Sequence, residues 1–214
     1  MIRSLRVARA TAMKARTQAI NALKGLLVTA PDELREQLRA LSAVRLVQTA
    51  AKLEPGPVTT PAAAATLGLR SLARRDQALS AELTILDTEL DQLTRAAAPK
   101  LLALFGVGSD SAGALLVAAG DNPDRLRSNA CFSMLCGASP IQASSGKTQR
   151  HRLNRGGDRQ ANAALYRIVI ARLRHDQQTK DYLHRRIREG KSKKEAIRCL
   201  KRYVAREVFA ALPR

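Results

Sequence analysis

The feature that most narrows what this chain can fold into is a long N-terminal stretch that steps like a helix and has no aromatic residue. The first aromatic is Phe105, and Phe132, Tyr166, Tyr182, Tyr203 and Phe209 complete the set. Without large rings, a segment rich in Ala, Leu and Arg builds no thick globular core, but it suits long helices packed side by side. Leu5, Ala8, Ala12, Ala15, Ala19, Ala22 and Leu26 recur at alternating three- and four-residue intervals, and Met13, Ile20, Leu23 and Leu27 widen the stripe. Pro31, Asp32 and Glu33 then read as a helix restart, with Leu34, Leu38 and Leu41 on one face. Glu54, Pro55, Gly56 and Pro57 break that helix. Thr60 before Pro61 caps a third, in which Leu69, Leu72, Asp76, Leu79, Leu83, Leu86, Leu90 and Leu93 keep a heptad step. Asp76 is the polar exception; such a residue sets register or partner choice, or sits at a frayed end. The expectation is an all-α protein. Residues 1–98 form a helical coiled-coil arm that joins copies into a homo-oligomer and carries no chemistry, and residues 99–214 form a second helical domain.

Charge points to a polyanionic partner. The 214 residues hold 37 Lys+Arg against 18 Asp+Glu, a formal net charge of +19, and 20 of those cations but only 6 of the acids fall in residues 141–214. Nucleic acid is the polyanion best suited to offset such an excess. A membrane partner fails on pattern, because no run of about 18 apolar residues exists and residues 1–4 lead into a charged periodic segment. Cys131, Cys136 and Cys199 form no CxxC pair, and His151, His175 and His184 lie at no ligand spacing. This excludes a zinc framework and suits reduced, core-filling thiols in an intracellular protein.

Three segments after Pro99 carry the candidate chemistry. Leu101, Leu102, Leu104 and Phe105 lead into Gly106-Val107-Gly108 and then Ser109, Asp110 and an apolar helix. This reads as a helix-hairpin-helix, whose turn offers backbone amides to a phosphate; the structural alternative is a tight turn between packed helices. Residues 133–158 are dense in hydroxyls, glycines and cations: Ser144, Ser145, Gly146, Lys147, Arg150, Arg152, Arg155, Gly156, Gly157 and Asp158. That composition suits phosphate contact, or a basic loop without a role. The tail reads as three helices, the last opened by the capping box Ser192-Lys193-Lys194-Glu195. Ile197, Leu200, Val204 and Val208 would bury one face of it, and Lys194, Arg198, Lys201, Arg202 and Arg206 would line the other as a cationic stripe. Asp110, Asp121, Asp124 and Asp158 sit at turns and helix starts, where capping is the usual employment.

The ordered set of these motifs resembles the C-terminal transposase domain of the insertion-sequence one-ten family, the RNA-guided DEDD/serine recombinases. It comprises the glycine turn, Asp121 with Arg125 and Arg127, Gly137-Ala138-Ser139-Pro140, Ser144-Ser145-Gly146-Lys147, and Arg155-Gly156-Gly157-Asp158 with the helix beyond. The resemblance spans residues 99–174, and the heptad helices ahead of it resemble the family's coiled coil. It implies DNA transposition by a serine nucleophile, here Ser145 with Ser144 as fallback. The glycine turn, the cationic loop and the cationic stripe of the last helix give the expected DNA contacts, Gly106, Gly108, Lys147, Arg150, Arg152, Arg155, Lys194, Arg198, Lys201 and Arg202, and the resemblance implies a structured guide RNA and a bacterial, nucleoid-associated cytoplasmic location. In the family, magnesium is held by an N-terminal RuvC-like acidic domain. This chain shows no such acidic set, so no metal is expected on it and its own active site is expected to be incomplete. It departs from the pattern at Asn162, where many relatives have arginine. The alternative function is a non-catalytic nucleic-acid-binding remnant or an RNA-binding accessory protein.

Overall fold

The computed structural model describes residues 1–121, 124, 126–146 and 150–213. Among them the chain is all-α, with ten helices and one two-stranded hairpin. Its contacts divide it into two compact units, Val7–Thr88 and a second made of Met1–Arg6 with Glu89–Arg214.

The first unit draws on helices α1 (Ile2–Val28), α2 (Asp32–Arg39), α3 (Ala43–Ala50) and α4 (Pro61–Ala97). Helices α1 and α4 run antiparallel. Arg9 meets Asp87, Arg16 Nε lies 3.3 Å from Asp76 Oδ1, and Leu26 packs so closely on Gly68 that a Cβ there would stand 2.8 Å from its Cδ2. The α1 stripe drifts as it runs. Ala12 and Ala19 are buried, but the interior then passes to Leu23 and Leu27 and leaves Ala22 exposed. A straight helix slips by about 20° per heptad relative to a strict seven-residue seam, and the leucines offer more apolar area than Ala22 to the side that wins. On α4, Leu69, Asp76, Leu83 and Leu90 are buried at seven-residue steps. Asp76 is only 6% exposed and takes its counter-charge from Arg16, so this polar seam residue fixes register within the chain. Thr60 caps α4 by accepting from the Ala63 amide.

The helix expected after Pro31 is two helices. Ser42 turns to an extended conformation, φ −60° and ψ 156°, and its carbonyl starts α3. The turn lets Leu46, Val47 and Ala50 reach the same core as Leu23, Leu38 and Leu69, which a continuous helix would carry past it.

The second unit contains α5 (Pro99–Leu102), α6 (Ser109–Ala119), α7 (Asn129–Leu135), β1 (Ile141–Gln142), β2 (His151–Arg152), α8 (Arg159–His175), α9 (Gln177–Arg188) and α10 (Lys193–Ala211). Helix α8 is central: Ala161, Ala164, Leu165, Ile168 and Val169 are buried against α6 on one side and α10 on the other. Phe132 of α7 closes the core against Phe209 of α10, with ring centroids 6.1 Å apart. The tail helices start at side-chain caps. Asp158 accepts from the Ala161 amide, Asp176 from Thr179, and Ser192 with Glu195 forms a reciprocal capping box. No described helix is long and apolar enough to cross a membrane.

Candidate nucleic-acid interface

The glycine turn is packed inward. Gly106 adopts φ +81°, open to glycine at no steric cost, and a Cβ there would stand 3.2 Å from the Ile168 carbonyl. Val107 is buried, and the Phe105 carbonyl accepts from Arg172 Nε at 2.9 Å. Gly108 precedes α6, at whose first turn Asp110 is paired with Arg6 and Arg167, while Ser109 donates to Asp91. Arg95 and Ser109 hold the Asp91 carboxyl below its ordinary range. Two carboxylates therefore already occupy the positive end of the α6 dipole, where a phosphate would have to bind.

The serine segment is presented differently. β1 and β2 pair antiparallel, Ile141 opposite Arg152 and Gln142 opposite His151, and the Ala143 amide donates to the Arg150 carbonyl at 2.8 Å. Ser144, Ser145 and Gly146 lie beyond that ladder and are exposed, with Gly146 at φ +54°. Neither serine hydroxyl has a hydrogen-bond partner among the described residues. Lys147 and Arg125 lie outside the described residues.

The base of this hairpin is tied to its surroundings at two places. Gly157 crosses directly over Gly137: a Cβ on Gly157 would stand 2.1 Å from the Gly137 nitrogen, so only glycine fits. The Asp158 amide donates to the Leu135 carbonyl, and Asn162 Nδ2 donates to the carbonyls of Cys136 and Gly137 at 2.8 and 3.1 Å. Asn162 Oδ1 in turn accepts from Lys201 Nζ at 2.8 Å. The second tie is ionic. Arg150 Nη1 lies 3.3 Å from the Glu195 carboxylate, and Arg198 donates to the His151 carbonyl at 3.2 Å. Glu195 is pulled down to about 2, first by its bonds from the Ser192 amide and hydroxyl and then by Arg150 and Arg198.

Between the hairpin, α9 and α10 opens a cleft of about 370 Å³. Its walls bring together Arg152 of β2, Arg185 and Arg186 of α9, Lys191 of the following turn, and Arg198, Lys201, Arg202 and Arg206 of α10, against the single carboxylate of Glu195. Four of these belong to the expected DNA-binding set: Arg152, Arg198, Lys201 and Arg202. Lys201 is not on a solvated stripe; it is buried, its ammonium lowered below its ordinary value by desolvation and then by Arg198. Arg202 is committed to Ser133 Oγ at 2.6 Å and Asn129 Oδ1 at 2.9 Å, and burial, then Arg206, lowers it too. Lys194 and Arg155 are exposed and do not line the cleft.

Sequence reasoning misses Arg185, Arg186 and Lys191. The signal that could have found the arginines is a helix-face spacing: Arg185 and Arg186 follow Tyr182 by three and four residues, and their guanidinium carbons lie 5.3 and 6.0 Å from its ring centroid. Tyr203 stands edge-on to Tyr182, with centroids 5.6 Å apart at 80°. Burial, followed by Cys199 and Tyr203, pushes the Tyr182 phenol well above its ordinary value, so it adds no negative charge here. Of the thiols, Cys136 is buried and pushed up to about 12 by desolvation and then Asp158, whereas Cys131 is exposed. Among the described residues no group of three or more His, Cys, Asp or Glu side chains converges.

Comparison with known proteins adds two findings. Residues 98–184 match the family described as Transposase IS116/IS110/IS902 family. Over 151 residues the chain is 30% identical to a protein of Pseudomonas aeruginosa described as a probable family 20 transposase, covering 70% of this chain and 43% of that protein's length.

Proposed function

We propose that this chain, whose residues 98–184 match the Transposase IS116/IS110/IS902 family, holds DNA during transposition and supplies Ser145 as the nucleophile that breaks a strand. The observation that carries this reading is the exposed Ser144-Ser145-Gly146 segment at the end of a hairpin pinned to the cationic wall of α10. In the step proposed, Ser145 Oγ attacks a backbone phosphorus. The Oγ–P bond forms, the P–O bond to the leaving strand breaks, that oxygen takes up a proton, and the serine proton passes to a base outside the described residues. Cations nearby offset the charge that grows on the phosphoryl oxygens. Arg152, Arg155, Lys194 and Arg198 serve as phosphate contacts, with Lys147 joining them. Arg150, Lys201 and Arg202 mainly hold the hairpin and α7 in place. The paired carboxylates beside Gly106 and Gly108 favour the hairpin side over the glycine turn as the principal grip. A guide RNA and an acidic magnesium-binding domain enter this proposal through the family resemblance alone, and further copies through the heptad pattern of the helical arm.

The cationic cleft between the hairpin, α9 and α10, which can hold a phosphate backbone without any cutting step, favours one second reading, a domain that grips nucleic acid without cutting it. A single measurement separates the two. With a complete transposition system, Ser145→Ala is expected to abolish a covalent protein–DNA adduct while DNA affinity stays within about twofold, since the change removes a hydroxyl and no charge. An adduct that persists and maps to Ser144 removes the assignment to Ser145. No adduct from the wild-type protein leaves the gripping role.

A further inference from the structure

We infer that the cleft between the hairpin, α9 and α10 takes a single unpaired nucleotide of a nucleic-acid strand, its phosphate held by the arginines and its base stacked on Tyr203. The inference rests on the nucleic-acid-binding part of the proposed function and adds a substrate class: unpaired strand, not duplex.

Three observations carry it. The first is unbalanced charge at a concave site. Arg152, Lys191 and Arg206 meet no carboxylate among the described residues, and the one carboxylate in the wall, Glu195, is already shared by Arg150, Arg198 and the cap of α10. Folding brings like charges together here at a cost that an incoming phosphate relieves. The second is an orphaned donor. Arg186 Nε is buried with no hydrogen-bond partner, although the same guanidinium pairs through Nη1 with Glu189. A buried N–H left unmet is expensive, and the guanidinium that carries it lines the cleft, so a shift of that side chain onto an entering phosphate would satisfy it. The third is the aromatic pair. Tyr203 is 48% exposed at the cleft, held edge-on by Tyr182, with Arg206 5.9 Å from its ring centroid. A half-exposed ring fixed among cations suits a base with its phosphate attached. A cleft of about 370 Å³ falls in the size range of small-ligand sites and accepts a splayed nucleotide. A duplex keeps its bases stacked inside and can offer such a cleft only its backbone.

The test uses the full chain and fluorescein-labelled oligothymidylate, oligouridylate and a DNA duplex of equal length, read by anisotropy. Tyr203→Leu keeps apolar volume on α10 and removes the ring, whereas Tyr203→Phe keeps the ring. Tyr203→Leu is expected to weaken binding of an unpaired strand about tenfold and to leave duplex affinity within about twofold, with Tyr203→Phe close to wild type. Comparison of oligothymidylate with oligouridylate tells a DNA strand from an RNA strand, and competition by thymidine monophosphate tells a strand from a free nucleotide. Because the chain has no Trp, quenching of tyrosine emission by oligothymidylate gives a second reading on the unmodified protein. Equal losses for strand and duplex in Tyr203→Leu, or no loss for either, overturn the inference. A wild-type protein that binds none of the three probes overturns the nucleic-acid reading itself.

Discussion

Gly157 and Gly25 show how differently one residue type is constrained at two points of the same chain. A methyl at Gly157 would overlap the Gly137 backbone, and backbone on both sides leaves little room to yield. Gly157→Ala is therefore expected to destabilise the second unit by about 3 kcal/mol or more, read by urea unfolding. Gly25 lies inside α1, where an added methyl would meet nothing within 4 Å, so Gly25→Ala is expected to stabilise by about 0.5–1 kcal/mol through the entropy of the unfolded chain. The same sign for both variants would refute the steric account. Asn162 is the other residue whose weight is hidden in the sequence. Its side chain is the link between the Gly137 turn and buried Lys201, a role for which one amide among alanines gives no local cue.

At the scale of elements, the helix caps were legible because they depend only on neighbours three residues apart. Asp158, Ser192 and Glu195 do what their spacing suggests. The consequence for α10 is a pH dependence of defined sign. Glu195 is held at about 2, against 4.5 for an unperturbed carboxyl, so its stabilisation is complete above about pH 4.5 and is lost as pH falls toward 2. The melting-temperature gap between wild type and Glu195→Gln is expected to be flat from neutral pH down to about 4.5 and to close below it. A gap unchanged at pH 3 would contradict the assignment. The break at Ser42 and the β1–β2 hairpin were not legible. The first is decided by where Leu46 and Val47 must reach, and the second by two residues of pairing across a polar loop. Both depend on tertiary contacts that override weak local preference.

For the molecule as a whole, the charge excess of the last third was plain in the sequence, but its division of labour was not. Counting cations treats Lys201 and Lys194 alike; one is buried against Asn162 and the other is exposed without a partner among the described residues. The cleft needs side chains from β2, α9 and α10, so no single window of sequence could reveal it. A binding experiment can separate structural from contacting cations. Neutralising Arg155 or Lys194 to Gln is expected to lower the slope of log affinity against log salt by about one each, with the melting temperature unchanged. Removing residues 176–214 altogether is not an equivalent experiment, because Leu200, Val204 and Val208 belong to the core.

The crossing of Gly137 and Gly157 makes the segment between them a noose drawn tight at its neck, with Ser145 on the far side of the loop. The crossing holds the end of α7 and the start of α8 together, so the loop enters and leaves through one fixed point, with the tie of Arg150 and Arg198 to α10 anchoring it further out. Doubling the length of a flexible loop costs only about 0.6 kcal/mol. The reach of the serine toward a strand is thus a quantity that evolution or an engineer can lengthen or shorten residue by residue, without reopening the packing that secures the knot.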